Sequence, residues 1–187
     1  MTKITIAKSV KHFGMKVDFE EPALMRAVAD SLVALKDDAD PELKKCAFEG
    51  LNAIAKGNFN SIRDLVGDIE LFAQQETVVR PELIEEVDLG SFKIKVDKGL
   101  TMRKEAFSLL ETLLQCTDTI DVDKFVDALV RCLSDPDVDI LLLTLNILAK
   151  LSSTRSCVII LTKMDGIITA FEKLFKANLK LVSGANS

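Results

Sequence analysis

The stretch PELIEEVDLGSFKIKVDKGLTMR, residues 81–103, is where a helical repeat pattern stops, a period of two takes over, and the repeat then resumes. Val87 and Leu89 alternate with Glu86 and Asp88. Beyond Gly90-Ser91, the apolar Phe92, Ile94 and Val96 alternate with Lys93 and Lys95. Alternation of this kind puts one set of side chains on each face of a strand. Gly-Ser between two such runs suits a two-residue hairpin turn, because glycine accepts the positive φ of the first central position. The turn sets the register: Leu89 faces Phe92, Val87 faces Ile94, Asp88 faces Lys93 and Glu86 faces Lys95. One face is then apolar, and the other carries two acid–base cross-strand pairs, each worth a few tenths to about 1 kcal/mol. A slip of one residue destroys both patterns together. Two strands alone are marginal in water, so the apolar face has to cover either the protein's own helices or a partner. Pattern alone leaves both open.

Outward from this hairpin, expected at about 84–97, three segments share a pattern: DPELKKCAFEGLNAIAK from Asp40, GLTMRKEAFSLLETLLQ from Gly99 and DPDVDILLLTLNILAKL from Asp135. Leu43 and Phe48 recur as Met102 and Phe107, 59 residues on, and as Val138 and Leu143, 36 residues further. The shorter interval is close to a helix-pair repeat of the HEAT type, at about 40 residues. The longer one exceeds it by about the length of the hairpin stretch. The sequence therefore predicts an all-α fold, a HEAT-repeat α-solenoid of antiparallel helix pairs over 1–180 with one inserted β-hairpin, and a flexible tail over 181–187.

The remaining helices fall around those three. Residues 3–13, with Ile6, Val10 and Phe13, read as the second helix of an incomplete leading repeat. Residues 20–36 form an amphipathic helix with Pro22 near its first turn, where a missing N–H costs little; its stripe is Leu24, Val28, Leu32 and Leu35. Asp40 caps the next helix, which runs through Leu43, Phe48, Leu51 and Ile54 to Lys56-Gly57-Asn58. Asn60 or Ser61 caps a helix holding Ile62, Leu65, Val66, Ile69 and Phe72. After the hairpin come helices from about Leu100 to Cys116 and from Asp121 through Phe125, Leu129 and Cys132. Asp135-Pro136 opens the most apolar helix, expected to be enclosed on nearly all sides, and helices over 156–162 and 165–177 complete the chain. A solenoid needs polar caps on its terminal repeats. The first helix has none, so the chain is expected to be part of a longer protein or to self-associate through that end.

Composition narrows the function classes. The chain has 187 residues, is 48% hydrophobic and carries a formal charge of −5. No apolar run approaches the roughly 20 residues of a membrane span, and Lys3, Lys8 and Lys11 interrupt any signal-peptide core. Nucleic acid is not expected as a partner, because phosphate binding needs a basic face and neither Trp nor Tyr is present to stack on bases. Cys46, Cys116, Cys132 and Cys157 lack metal or redox spacing and fall on or near apolar stripes; buried reduced thiols place the chain in the cytosol or nucleus. His12 is the single histidine, which argues against acid–base catalysis and zinc alike. No glycine-rich phosphate loop occurs. The paired acids Glu85-Glu86, Asp37-Asp38 and Glu20-Glu21 read as hairpin edge, solvated loop and first-turn acids facing a helix dipole. No enzymatic activity, catalytic residue, cofactor or metal is expected. What remains is binding, and the cluster Lys93, Lys95, Lys98, Arg103 and Lys104 is either a set of paired surface charges or an electrostatic guide towards an acidic partner.

The runs SIRDL at 61–65, TVVRPELIEEVDLG at 77–90, Phe92-Lys93 and VDKGLTMRKEAF at 96–107 resemble one family closely. That family is the C-terminal TATA-binding-protein-interacting domain of the cullin-associated, neddylation-dissociated proteins. Similarity is strongest over 61–115 and continues more weakly to about residue 175. The resemblance implies a HEAT solenoid that engages the N-terminal region of an un-neddylated cullin and competes with the substrate-receptor adaptor through a projecting hairpin, so regulating assembly of the ubiquitin ligase. It implies that Val87, Leu89, Gly90, Phe92, Lys93 and Ile94 form the wedge, with Lys95 beside them, and that Gly99, Leu100, Arg103 and Lys104 form its base. Ser91 stands where the family usually has proline. The alternatives are a generic HEAT scaffold whose hairpin packs on its own helices, and a module that binds transcription or transport factors.

Overall fold

The computed structural model describes residues 22–90 and 92–184. The helix expected over 3–13, with His12 and the uncapped end, lies outside the described residues, as do Ser91 and 185–187. The chain divides into two compact units, residues 1–120 and 121–187.

The first unit contains α1 (Pro22–Val33), α2 (Pro41–Asn58), α3 (Val66–Gln75), β1 (Ile84–Asp88), β2 (Lys93–Asp97) and α4 (Leu100–Cys116). The architecture is all-α and HEAT-like, with the single hairpin inserted between α3 and α4. The centre is α2, which packs against α4 and α1, while α3 also lies on α4. Asp40 caps α2 through a side-chain bond from the Glu42 N–H at 2.9 Å, with Pro41 in the first turn. Leu43, Phe48, Leu51 and Ile54 are all buried, as the period requires. Phe48 meets Phe72 of α3 with ring centroids 4.4 Å apart.

Three expectations in this unit are corrected. The buried line of α1 is Met25, Ala29 and Leu32, and Leu24 is exposed. Both lines satisfy the helical period up to Leu32; the surface that α1 meets selects between them. The helix also ends at Val33, and 3-10 turns over Ala34–Asp37 carry Leu35 off the α-helical period. Neither Asn60 nor Ser61 caps a helix. Residues Phe59–Leu65 form a 3-10 stretch, and α3 proper starts at Val66 without a side-chain cap.

The second unit contains α5 (Val122–Cys132), α6 (Val138–Ser152), α7 (Cys157–Thr162) and α8 (Met164–Gly184). The helix starts at Asp121, as expected, with the Asp121 carboxylate capping α5, and Phe125, Leu129 and Cys132 are buried. The cap of α6 is Asp137, whose carboxylate accepts the N–H groups of Asp139 and Ile140, not Asp135, which instead accepts the Asp137 N–H. That shift moves the repeat by two residues. Leu43, Met102 and Ile140 are each the third helical residue after their caps, and all three are buried, whereas Val138 is exposed. Nor is α6 enclosed: Ile140, Thr144, Ile147, Leu148 and Leu151 form one buried stripe, and Leu142 is exposed. The last helix runs on past Ala177 to Gly184, into what was expected to be tail.

Candidate functional site

The hairpin forms in the expected register, with Val87 opposite Ile94, Asp88 opposite Lys93 and Glu86 opposite Lys95. The Leu89 N–H closes the turn on the Phe92 carbonyl at 3.0 Å. Gly90 has φ of 83°, the left-handed value that excludes most side chains, and its N–H is held by Asp88 Oδ1 at 2.7 Å. Val87, Leu89, Phe92 and Ile94 share one face, and Val96 extends it. Phe92 is 60% exposed and Leu89 52%, with Val87, Ile94 and Val96 also exposed. Among the described residues the two strands pair only with each other, and all five of these side chains are exposed. Five large apolar side chains are thus exposed together on one short hairpin, unlike isolated surface apolar residues.

On the opposite face the charges pair differently from the register prediction. Lys93 Nζ reaches diagonally to Glu86 Oε1 at 2.7 Å, while Asp88 Oδ1 accepts the Gly90 N–H of the turn. At the base of the apolar face, where Glu85 stands opposite Val96, Lys98 Nζ takes Glu85 Oε1 at 2.6 Å. These exposed pairs contribute little, up to about 1 kcal/mol each. The expected basic cluster is therefore not one patch. Arg103 is the main correction: expected at the contact surface, it is 1% exposed, turned inward with Nη2 2.8 Å from Asp97 Oδ2. Its guanidinium is drawn in by a carboxylate at the strand end. Lys104 is half-buried on α4. Lys95 is exposed on the hairpin itself.

Sequence reasoning passed over the residues that hold the hairpin's feet. Asp97 ties β2 to α4. Glu76, 2% exposed, accepts from Lys44 Nζ of α2 and from Arg80 Nη2, each at 2.6 Å, just before the chain enters the hairpin. An acid six residues before an arginine across a helix start was the available signal for Asp97. For Glu76, whose main partner lies 32 residues away, there was none.

Among the described residues no group of three or more His, Cys, Asp or Glu side chains comes together to hold a metal ion, and no helix is long and apolar enough to cross a membrane. Cys46 and Cys132 are buried and Cys116 and Cys157 half-buried, all four outside any disulfide.

Residues 61–184 match the family described as TATA-binding protein interacting (TIP20). The chain is 31% identical over 86% of its length to cullin-associated NEDD8-dissociated protein 2 of Rattus norvegicus. It is 32% identical over 86% of its length to protein 1 of the same name in Dictyostelium discoideum, and 36% identical over 69% to protein 1 of Drosophila melanogaster. It spans only 12%, 13% and 10% of those three relatives. The hairpin and the described residues of the second unit fall within residues 61–184, and the chain belongs to the TATA-binding protein interacting (TIP20) family, as a relative of the cullin-associated NEDD8-dissociated proteins.

Proposed function

We propose that the chain is a protein-binding module without enzymatic activity, which docks on the N-terminal region of an un-neddylated cullin. In this reading the hairpin is a wedge that competes with the substrate-receptor adaptor and so regulates assembly of the ligase. The observation that carries it is the uncovered apolar face of Val87, Leu89, Phe92 and Ile94. Burying such side chains contributes about 1.5–3 kcal/mol each before the costs of ordering and association, a scale suited to competition rather than permanent attachment. Lys95, on the other face of the same strand, offers a cation to an acidic rim. The thiols, outside any disulfide, are consistent with a cytosolic or nuclear setting.

Calorimetric titration of the chain against a cullin N-terminal domain, with and without adaptor, tests this. Saturable binding that adaptor blocks and Phe92→Asp removes supports the wedge. A folded chain that gives no heat with the free cullin domain sinks it.

The family's description favours one second reading, docking of TATA-binding protein by the same face. Titrating that protein in the same calorimeter separates the two, since only one partner should be displaced by adaptor.

A further inference from the structure

A hairpin with both faces exposed has no packing to hold its angle, so its orientation has to come from its feet. On the outgoing foot, the Asp97 carboxylate accepts the Gly99 N–H through Oδ1 at 2.7 Å and the Arg103 Nη2 through Oδ2 at 2.8 Å. One carboxylate therefore joins the last residue of β2 to the first turn of α4, where negative charge also meets the positive end of the helix dipole. Gly99 is buried at this joint. A Cβ there would stand 2.9 Å from Leu83 Cδ1 and 3.2 Å from Asp97 Oδ1. The Lys98 N–H donates to the Leu83 carbonyl at 3.0 Å, extending the ladder one step past Ile84 and Asp97. On the incoming foot, Glu76 holds Lys44 and Arg80 together, and Pro81 follows at once with a restricted φ.

We propose that Asp97 and Arg103, seated on Gly99, are positioning residues that hold the hairpin at a set angle on α4, so that a partner meets an ordered wedge rather than a loose arm. The consequence for binding rests on the docking reading above; the ordering of the hairpin does not. Ordering before encounter removes an entropic cost from association.

The test is backbone 15N relaxation of the full chain, comparing hairpin amides with those of Ala47, Phe48 and Leu51 in α2 of the same sample. In the unaltered chain both sets are expected near the rigid order parameter of about 0.85. In Asp97→Asn the hairpin amides should fall below about 0.6 while α2 stays rigid. Gly99→Ala is the second variant, since it crowds the joint without removing a charge, and it should loosen the hairpin in the same way should Asp97→Asn fail to fold. Asp97→Glu, which keeps the charge, should restore part of the order. Hairpin amides that stay rigid in the folded variants, or that are already loose in the unaltered chain, overturn the joint. Titration with a cullin N-terminal domain then reads the consequence, with about tenfold weaker binding expected for Asp97→Asn. A rigid hairpin that loosens on substitution, in a chain that binds no cullin, leaves the joint standing and removes the docking reading alone.

Discussion

Asp97 Oδ2 accepts a hydrogen bond from Arg103 Nη2 at 2.8 Å, with the Arg103 side chain 1% and that of Asp97 19% exposed. Lys93 and Glu86, on the same hairpin, lie as close at 2.7 Å, but at 61% and 50% exposure. Equal distances at unequal depth have unequal worth, because water screens the second pair and not the first. Asp97→Ala should therefore cost about 1.5–3 kcal/mol, the range for a hydrogen bond to a charged group. Glu86→Ala should stay within about 0.5 kcal/mol. Urea unfolding of both variants checks the contrast, and equal losses would refute it.

Phe92 is expected to be silent in stability. At 60% exposure it gives up little packing on truncation, so Phe92→Ala should shift the melting temperature by no more than about 2 °C, in line with surface substitutions generally. A cullin titration of the same variant should show at least tenfold weaker binding. A melting loss as large as that of a core phenylalanine would mean that the hairpin face is covered in solution by the chain itself.

Glu76→Gln should be among the most damaging single changes. It leaves the Lys44 ammonium, 7% exposed, facing a neutral amide in place of a carboxylate at 2.6 Å, and breaking a buried pair from one side costs about 3–5 kcal/mol. Replacing Lys44 by Met and Glu76 by Leu together should recover most of that loss, since the buried ammonium goes with its carboxylate and only the more exposed Arg80 loses a partner. Denaturant midpoints for the single and double variants decide the matter. Additive losses would argue against coupling.

The caps of α2 and α6 offer a milder test. Asp40 accepts the Glu42 N–H, and Asp137 accepts the N–H groups of both Asp139 and Ile140. Each change to Ala should cost about 1 kcal/mol. Asp135→Ala should cost less than Asp137→Ala, contrary to a cap read from the Asp-Pro pair alone. Thermal melts of the three variants rank them.

Acid stability should depend in part on Asp64. The Arg26 guanidinium, hydrogen-bonded to it, holds its carboxyl below the usual carboxylate range, and Arg26 is raised in turn. A depressed folded value means that the unfolded chain takes up the proton first as pH falls. The stabilisation is thus complete above the ordinary aspartate value of about 3.9 and lost as pH drops through the folded one. Both groups are solvent-exposed, so the effect is small and weakened by salt. Melting of the unaltered chain and of Asp64→Asn should differ by a constant amount near neutrality and converge below about pH 4. Convergence at alkaline pH instead would contradict the pairing.

Local chemistry was enough for much of the fold. The period-two runs, the Gly90-Ser91 turn and the resulting pairing of Val87 with Ile94 involve neighbours in sequence, and the structure has the same register. The bounds of α4 and the caps at Asp40 and Asp121 are local in the same sense. Tertiary structure alone decided which surfaces meet. It turned Met25 inward and Leu24 outward on α1, left one side of α6 in water, and buried Arg103 while exposing Phe92. Period and propensity are the same whichever face is covered. The choice belongs to partners tens of residues away, as with Lys44 and Glu76, and no window along the chain contains both.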